Sequence, residues 1–330
     1  MQPQSLTPRP GGGPAAEAIH RAANLVRDNV GRVIVGADEA VTLLLVALFA
    51  KGHVLLEDVP GTGKTTLANA VARSLGATFR RIQFTPDLMP SDILGINYYS
   101  QKSGNFEFRE GPIVANIVLA DEINRATPRT QSALLEAMQE RTVSVDGVTR
   151  ELPHPFVVLA TQNPIELEGT FPLPEAQLDR FLLRFKVGYP DEAGELEVLR
   201  RIEDHSPLDD LTPVIDATDL QALSQRLSSI RVDDEVARYM VRLARATREH
   251  VAFELGASPR GSIALFQATR ALAAIEGRDY VRPDDVKRLA HPVLAHRLLL
   301  SSQTRLRGRS VDDVLDEILG ELPVPIADRA

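Results

Sequence analysis

The chain has 330 residues, and 44% of them are hydrophobic. Because this length exceeds that of a typical single domain, it predicts two domains. It contains no cysteine, which excludes disulfides, cysteine-based zinc sites and thiol catalysis, and suits a reducing compartment. The formal net charge of −8 argues against a protein whose main role is to bind duplex nucleic acid.

The amino-terminal segment is predicted to contain a polar tail and two helices. Residues 1–14 carry proline and glycine and almost nothing to bury, so we expect a disordered tail. An amphipathic helix is predicted over 18–29, and a second, apolar helix ends near Lys51. The apolar stretch 41–50 is too short to cross a bilayer, and no signal sequence opens the chain. We therefore expect a cytoplasmic protein.

A strand, a glycine-bearing turn and a helix are predicted next, in the sequence VLLEDVPGTGKTT at 54–66. The apolar run 54–56 indicates a buried strand, and the apolar spacing from Leu67 to Leu75 indicates a helix. Glycines in such a turn let backbone N–H groups converge on phosphate oxygens, while a lysine supplies charge and a threonine hydroxyl faces Mg²⁺. The residues expected to bind the nucleotide are Pro60, Gly61, Thr62, Gly63, Lys64, Thr65 and Thr66.

Asp58 departs from the general phosphate-loop pattern GxxxxGK(S/T), whose first position is usually glycine. Phosphates repel a carboxylate at short range, so we expect this side chain to point away from the nucleotide. The alternative interpretation of the segment is a plain strand-to-helix turn that contains glycines. The strand before the turn and the helix after it favour the nucleotide site.

Further apolar runs predict a parallel sheet. They recur between helical or loop signals at 79–84, 117–120, 156–160 and 181–187. This alternation is typical of an α/β domain whose parallel sheet is covered by helices on both faces. After Tyr189 and Pro190 the strand-like runs stop and the pattern becomes helical. We predict an α/β core over 15–189 and an all-α lid domain over 190–330.

Two short insertions interrupt the α/β pattern. The segment 142–152, TVSVDGVTREL, alternates around Asp146-Gly147, which predicts a hairpin with a two-residue turn. The segment 96–108 predicts a second hairpin that carries aromatic side chains. Neither hairpin has a packing role in a parallel sheet, so we expect both to project outward, either as binding elements or as surface decoration.

Polar residues follow two of the predicted strands. Asp121 and Glu122 end one strand at the sheet edge where α/β proteins bind ligands. We expect Asp121 to hold Mg²⁺ together with Thr65, and Glu122 to polarise the attacking water. Asn163 ends the next strand, where an amide is placed to lie between the γ-phosphate and that water; the alternative is a turn asparagine before a proline.

Two arginines complete the predicted site. Arg180 lies next to the last strand and, in a ring, is placed to reach the γ-phosphate of a neighbouring subunit as an arginine finger. Arg260 falls in the first turn of a predicted helix, where the helix dipole disfavours a cation. An anion at that helix end resolves this conflict, so we interpret Arg260 as a functional residue. The alternative for both arginines is a surface salt bridge.

These residues together resemble the AAA+ ATPases and, within them, the MoxR family. The resemblance rests on LLEDVPGTGKT at 55–65, ADEINRATPRTQSALLEAMQE at 120–140, ATQNPIELEGTFPLPEAQLDRF at 160–181 and GASPRGSIAL at 256–265. It implies an AAA+ P-loop core with an all-α lid, and it implies a role for each matching position. These are Walker A at Lys64 and Thr65, Walker B at Asp121 and Glu122, sensor 1 at Asn163, the arginine finger at Arg180, sensor 2 at Arg260, and adenine contacts at Val35 and Gly36.

The resemblance also implies a function. Family members hydrolyse Mg²⁺-ATP as hexameric rings that remodel protein clients, to mature enzymes, assemble complexes or insert metals, often with von Willebrand factor A-domain partners. The two predicted hairpins resemble insertions that face the ring pore or the client. Two alternatives stay open, a nucleotide-dependent assembly switch with little hydrolysis and a nucleic-acid motor. Glu122 argues against the first and the acidic charge against the second, so we expect an ATPase that binds ATP and Mg²⁺ and no nucleic acid.

Overall fold

The structure is a computed structural model that describes residues 13–59, 61–163, 169–202 and 207–325. The predicted tail at 1–14 lies outside these ranges except for its last two residues. The first helix begins at Pro14 rather than at Ala18. The fixed φ of proline suits the first turn of a helix, so the helix extends further toward the amino terminus than its apolar spacing indicates.

Helices and strands alternate in the first half of the chain, and helices dominate the second. The helices are α1 (Pro14–Gly31), α2 (Asp38–Phe49), α3 (Lys64–Ser74), α4 (Pro90–Leu94), α5 (Pro128–Glu140), α6 (Glu175–Leu178), α7 (Glu192–Ile202), α8 (Ala217–Gln225), α9 (Asp234–Glu249), α10 (Pro259–Ile275), α11 (Pro283–Leu294), α12 (Ser302–Leu306) and α13 (Val311–Glu321). The strands are β1 (Val54–Glu57), β2 (Phe79–Gln83), β3 (Gly95–Ser100), β4 (Asn105–Glu110), β5 (Ile117–Asp121), β6 (Thr142–Val145), β7 (Val148–Glu151), β8 (Val157–Gln162), β9 (Leu183–Phe185), β10 (Phe253–Leu255) and β11 (Leu299–Leu300). Within the described ranges, no helix combines the length and the apolar character needed to cross a membrane.

The central sheet has the strand order β2-β5-β8-β1-β9, and every pair in it is parallel. The predicted α/β class is therefore confirmed. Successive residues of β1 point to opposite faces of the sheet, as the pleat requires. Val54 and Leu56 enter one apolar cluster and Leu55 enters another, and all three are buried. This explains why the strand is uniformly apolar: helices cover both faces of the sheet.

The carboxy-terminal helices pack against the amino-terminal ones. Helix α10 contacts both α1 and α2, and the apolar residues of these helices belong to one cluster with those of α3. Arg288 on α11 links an amino-terminal helix to the carboxy-terminal helices. Its guanidinium donates to Glu39 on α2 and to Glu276 after α10, both at 2.6 Å. The division into a core and a lid at residue 190 stays a prediction.

Two antiparallel hairpins stand at the positions of the two predicted insertions. One pairs β3 with β4, and the other pairs β6 with β7 through a turn at Asp146 and Gly147, which both have positive φ. The hairpins contact each other, since the Asn97 amide donates to the Asp146 carboxylate at 2.8 Å. Phe106, on β4, is 76% exposed and stacks edge-on against Tyr99.

Candidate nucleotide site

The turn between β1 and α3 has the conformation that a phosphate loop requires. Gly61 and Gly63 have φ of 88° and 78°, in the left-handed region that favours glycine, and α3 begins directly after them at Lys64. The Lys64 ammonium donates to the backbone carbonyls of Asp58 and Val59, at 3.0 and 2.7 Å. Of the predicted loop residues, Pro60 lies outside the described part of the chain.

Lys64 lies in a partly buried, acidic environment. Burial lowers the pKa of its ammonium, and the nearby carboxylates of Asp58, Asp121 and Glu122 act in the opposite direction. These carboxylates favour the charged form that a phosphate ligand needs. Because Lys64 donates to loop carbonyls, its ammonium is already held at the loop.

The Asp58 carboxylate is held by backbone N–H groups, and its expected orientation away from the nucleotide stays a prediction. One carboxylate oxygen accepts from the Val59 N–H at 2.9 Å, and the other accepts from the N–H groups of Val187 and Gly188 at 3.0 and 2.9 Å. The residue is only 7% exposed. This carboxylate therefore satisfies backbone donors in the segment after β9 and connects that segment to the phosphate loop.

Asp121 and Glu122 lie at the carboxyl edge of the sheet, beside the loop. The Thr161 hydroxyl on β8 links them, because it donates to Asp121 at 2.6 Å and accepts from the Glu122 N–H at 2.8 Å. Together with the loop they line a cavity of about 390 Å³. Its lining residues are Asp58, Gly61, Thr62, Gly63, Lys64, Thr65, Thr66, Arg81, Asp121, Glu122, Thr161, Gln162 and Asn163.

Two residues on β2 contact the acidic pair and were not predicted. Arg81 makes a 2.6 Å ion pair with Asp121, and the Gln83 amide donates to the Glu122 carboxylate at 2.7 Å. The Glu122 carboxylate also pairs with Arg125 at 3.0 Å. The register of the sheet explains these contacts, because Gln83 on β2 lies directly opposite Asp121 on β5.

A second cavity, of about 510 Å³, adjoins the first and shares the loop residues Gly61, Thr62 and Gly63 with it. Its wall includes Val35 and Gly36, the two positions expected to contact adenine. The remaining lining residues, which are mostly apolar, include Val33, Ile34, Ala37, Val187, Gly188, Pro190, Val198 and Leu208. An apolar cavity joined to a phosphate loop has the shape and chemistry to hold a base and its phosphate tail.

Arg180 and Arg260 lie elsewhere. They line a third cavity, of about 470 Å³, whose wall also contains Lys51 and His53, the residues that precede β1. The phosphate loop follows β1, so the two sites lie at opposite ends of the parallel strands, the arginines at the amino end and the phosphate loop at the carboxyl end. The four residues of β1 separate these two ends by about 13 Å. The structure therefore brings the two arginines together, and it places both away from Lys64 within the same chain.

The third cavity is strongly cationic. Its wall contains the cations Lys51, Arg141, Arg180, Arg260 and Arg297, and Asp179 is the one acidic side chain among the described residues that line it. Within the described ranges, the guanidinium groups of Arg180 and Arg260 make no hydrogen bond or ion pair, and the buried Nε of Arg180 has no acceptor. A cavity with an excess of unpaired guanidinium groups has the chemistry to receive an anion.

Comparisons with known proteins divide the chain into two matched regions. A model of the ATPase family associated with various cellular activities (AAA) matches residues 53–183, and a model of the AAA lid domain matches residues 245–318. The first match contains the phosphate loop and the acidic pair. The second contains α10 with Arg260 at its start.

Full-length relatives show the same similarity. The chain is 50% identical to the uncharacterized protein YeaC of Bacillus subtilis over an alignment of 310 residues, which covers 94% of this chain and 97% of YeaC. It is 45% identical over 329 residues to Chaperone MoxR1 of Mycobacterium tuberculosis, which covers 96% of this chain and 86% of that protein. A crystal structure of a Cytophaga hutchinsonii protein assigned as an ATPase matches with a TM-score of 0.89 at 38% identity, over 94% of this chain and 97% of that one.

Proposed function

Because the chain belongs to the MoxR family of AAA+ ATPases, we propose that it hydrolyses Mg²⁺-ATP as a hexameric homo-oligomeric ring and uses the cycle to remodel protein clients in the cytoplasm. The observation that carries this proposal is the position of Arg180 and Arg260. Each chain offers a nucleotide cavity at one edge of its sheet and two arginines at the other. A site of this kind is complete only when a second copy supplies the arginines, so hydrolysis depends on assembly.

The first step is nucleotide binding by one chain. The base enters the apolar cavity beside Val35 and Gly36, and the phosphates enter the loop, where Lys64 exchanges its carbonyl acceptors for phosphate oxygens. The Thr65 hydroxyl and the Asp121 carboxylate line the same cavity and are oxygen ligands of the kind that Mg²⁺ prefers. When bound, Mg²⁺ neutralises charge on the phosphates.

The second step is activation of the attacking water. Glu122 accepts its proton, a role supported by its position with Asn163 in the wall of the cavity that contains the phosphate loop. In the structure, Gln83 and Arg125 hold the Glu122 carboxylate. Glu122 must turn from these donors toward the water, so the two contacts restrain hydrolysis until the site is complete.

The third step is stabilisation of the transferring phosphoryl group by a neighbouring chain. Arg180 is the arginine finger and Arg260 is its companion, and together they direct two unpaired guanidinium groups at the neighbour's γ-phosphate. An arginine supplied in this way is worth about 10³-fold or more in turnover. Asp121 and Glu122 then act on one side of the phosphate and the neighbour's arginines on the other.

Protein clients are the proposed targets of the cycle. The relative MoxR1 carries the name chaperone, and the β3–β4 hairpin of this chain exposes aromatic side chains, with Tyr99 57% and Phe106 76% exposed. We propose that the two hairpins contact the client, for enzyme maturation, complex assembly or metal insertion, and that a von Willebrand factor A-domain protein acts as partner. Exposed aromatic residues bind apolar segments that a folding client presents.

The dependence on assembly is tested by measuring ATP hydrolysis per chain across a range of protein concentrations, with native mass spectrometry on the same samples. We expect the rate per chain to rise as rings form, and the Lys64→Ala variant to stay inactive at every concentration. A rate per chain that is the same for monomers and rings would contradict the proposal.

A further inference from the structure

We propose that Asp179 is a positioning residue that fixes the finger arginine, Arg180, and its companion, Arg260, in one geometry. This inference rests on the proposed function, because it assigns a role within the site that two neighbouring chains complete. The Asp179 carboxylate joins two chain segments, of which one carries Arg180 and the other carries Arg260. The hydrogen bonds of that carboxylate support this role.

Asp179 directly precedes Arg180 and uses both carboxylate oxygens to hold the lid. One oxygen accepts from the Ser258 hydroxyl at 3.0 Å, and the other accepts from Arg297 Nε at 2.8 Å. Ser258 is the N-cap of α10, and its hydroxyl oxygen accepts from the Arg260 N–H at 3.1 Å. One unbroken chain of hydrogen bonds therefore runs from the residue beside Arg180 to the backbone of Arg260.

Arg297 makes this connection rigid. It is only 5% exposed, and besides Asp179 it donates to the Phe181 carbonyl at 2.6 Å. Burial lowers the pKa of Arg297 to about 10, Asp179 opposes this shift and the nearby cation Arg260 adds to it. Arg297 thus stays charged at neutral pH and needs a counter-ion, which Asp179 supplies. A buried guanidinium that makes several hydrogen bonds has little freedom to move.

A second feature favours positioning over simple stability. The guanidinium groups of Arg180 and Arg260 have no partner in the described part of the chain, so nothing fixes them except the segments from which they extend. Two arginines that must reach one phosphate depend strongly on where their Cα atoms lie, since a misplacement of about 1 Å costs on the order of a hundredfold in rate. Asp179 holds both of these segments.

The decisive variant is Ser258→Ala, because it breaks the link between Asp179 and α10 without leaving a buried charge unpaired. We expect kcat for ATP to fall on the order of tenfold with KM unchanged, because the arginines act on the transition state and not on nucleotide binding. Ser310→Ala is the matched control. Ser310 is also a serine N-cap, on α13, and its hydroxyl accepts from the Asp313 N–H at 3.1 Å. Ser310→Ala removes a comparable cap from a helix that does not line the cavity of the two arginines, and we expect its kcat to equal that of the parent.

A double-mutant cycle separates positioning from a general loss of stability. In an Arg260→Ala background the companion arginine is gone, so Ser258→Ala should have almost no further effect on kcat. Asp179→Asn in the parent should lower kcat on the order of a hundredfold, because the segments that carry the two arginines are no longer held together. Equal kcat for Ser258→Ala and Ser310→Ala, or full additivity of Ser258→Ala with Arg260→Ala, would overturn the inference.

The outcome also distinguishes this inference from the proposed function. If the parent forms rings and loses activity on Arg180→Ala, but Ser258→Ala behaves like Ser310→Ala, then only the role of Asp179 is wrong. If Arg180→Ala leaves turnover unchanged, the proposed function itself fails. Native mass spectrometry and thermal unfolding of each variant confirm that the compared chains are folded and assembled.

Discussion

His53 offers a quantitative prediction, because it is buried and fully hydrogen-bonded in one protonation state. Its Nε2 donates to the Met138 carbonyl at 2.9 Å, and its Nδ1 accepts from the Val158 N–H at 3.0 Å. These contacts fix the neutral tautomer with the proton on Nε2. A second proton on Nδ1 would face the Val158 N–H, so the charged ring cannot keep both bonds.

The magnitude follows from the pKa. Burial lowers the pKa of His53 from 6.5 to about 4, and the nearby charge of Arg141 acts in the same direction. The unfolded chain therefore binds more protons than the folded one between these two values. His53 lowers the free energy of unfolding as the pH falls through this window, by about 3 kcal/mol in total, and has no such effect above pH 7.

The assay is urea unfolding of the parent and of His53→Gln, which cannot titrate, at pH 7.5, 6.5, 5.5 and 4.5. Other groups titrate in both proteins, including the buried His296, whose pKa burial also lowers. Their effects cancel in the difference between the two proteins. We expect the advantage of the parent over the variant to be constant above pH 7 and to shrink steadily below it. A difference that is independent of pH would refute the reasoning.

Three substitutions test the nucleotide site. Glu122→Gln should keep ATP and an assembled ring while turnover falls on the order of a hundredfold or more, measured by bound nucleotide and phosphate release. Thr161→Val removes the hydroxyl that links the acidic pair and should lower kcat on the order of tenfold with KM nearly unchanged, in steady-state assays. Asp58→Gly restores the usual loop residue but releases the segment after β9, so calorimetry should show weaker ADP binding and unchanged binding of tripolyphosphate.

Each of these expectations has a clear contrary result. Parental turnover in Glu122→Gln would remove that carboxylate from the mechanism. A rise in KM without a change in kcat in Thr161→Val would assign the hydroxyl to nucleotide binding instead. If Asp58→Gly weakens the binding of ADP and of tripolyphosphate equally, then Asp58 acts through the phosphate loop and not through the segment after β9.

Local features of the chain were predictable from the sequence. The loop glycines, Lys64 and the strand before them follow from a short pattern with a direct physical reason. The acidic pair was found because a buried strand ends at Asp121, and parallel strands end at one edge of a sheet. All of these depend on neighbouring residues only.

Contacts that depend on the sheet register or on distant packing were not predictable. Gln83 meets Glu122 only because β2 lies beside β5, and Thr161 meets both acidic residues only because β8 lies on the other side. The position of Arg260 depends on the packing of α10 against α1 and α2, more than 200 residues earlier in the chain. The sequence shows that Arg260 is unusual at the start of a helix. It does not show at which end of the parallel strands that helix begins.

The central claim is that each hydrolytic site takes its phosphate loop from one chain and its arginines from the next. The most direct test mixes Lys64→Ala chains, which keep the arginines, with Arg180→Ala chains, which keep the loop. Each variant alone should be nearly inactive, and an equal mixture reassembled into rings should recover about a quarter of parental turnover, the fraction of interfaces with both parts intact. A mixture no more active than its two components, in rings shown to contain both chains, would contradict the claim.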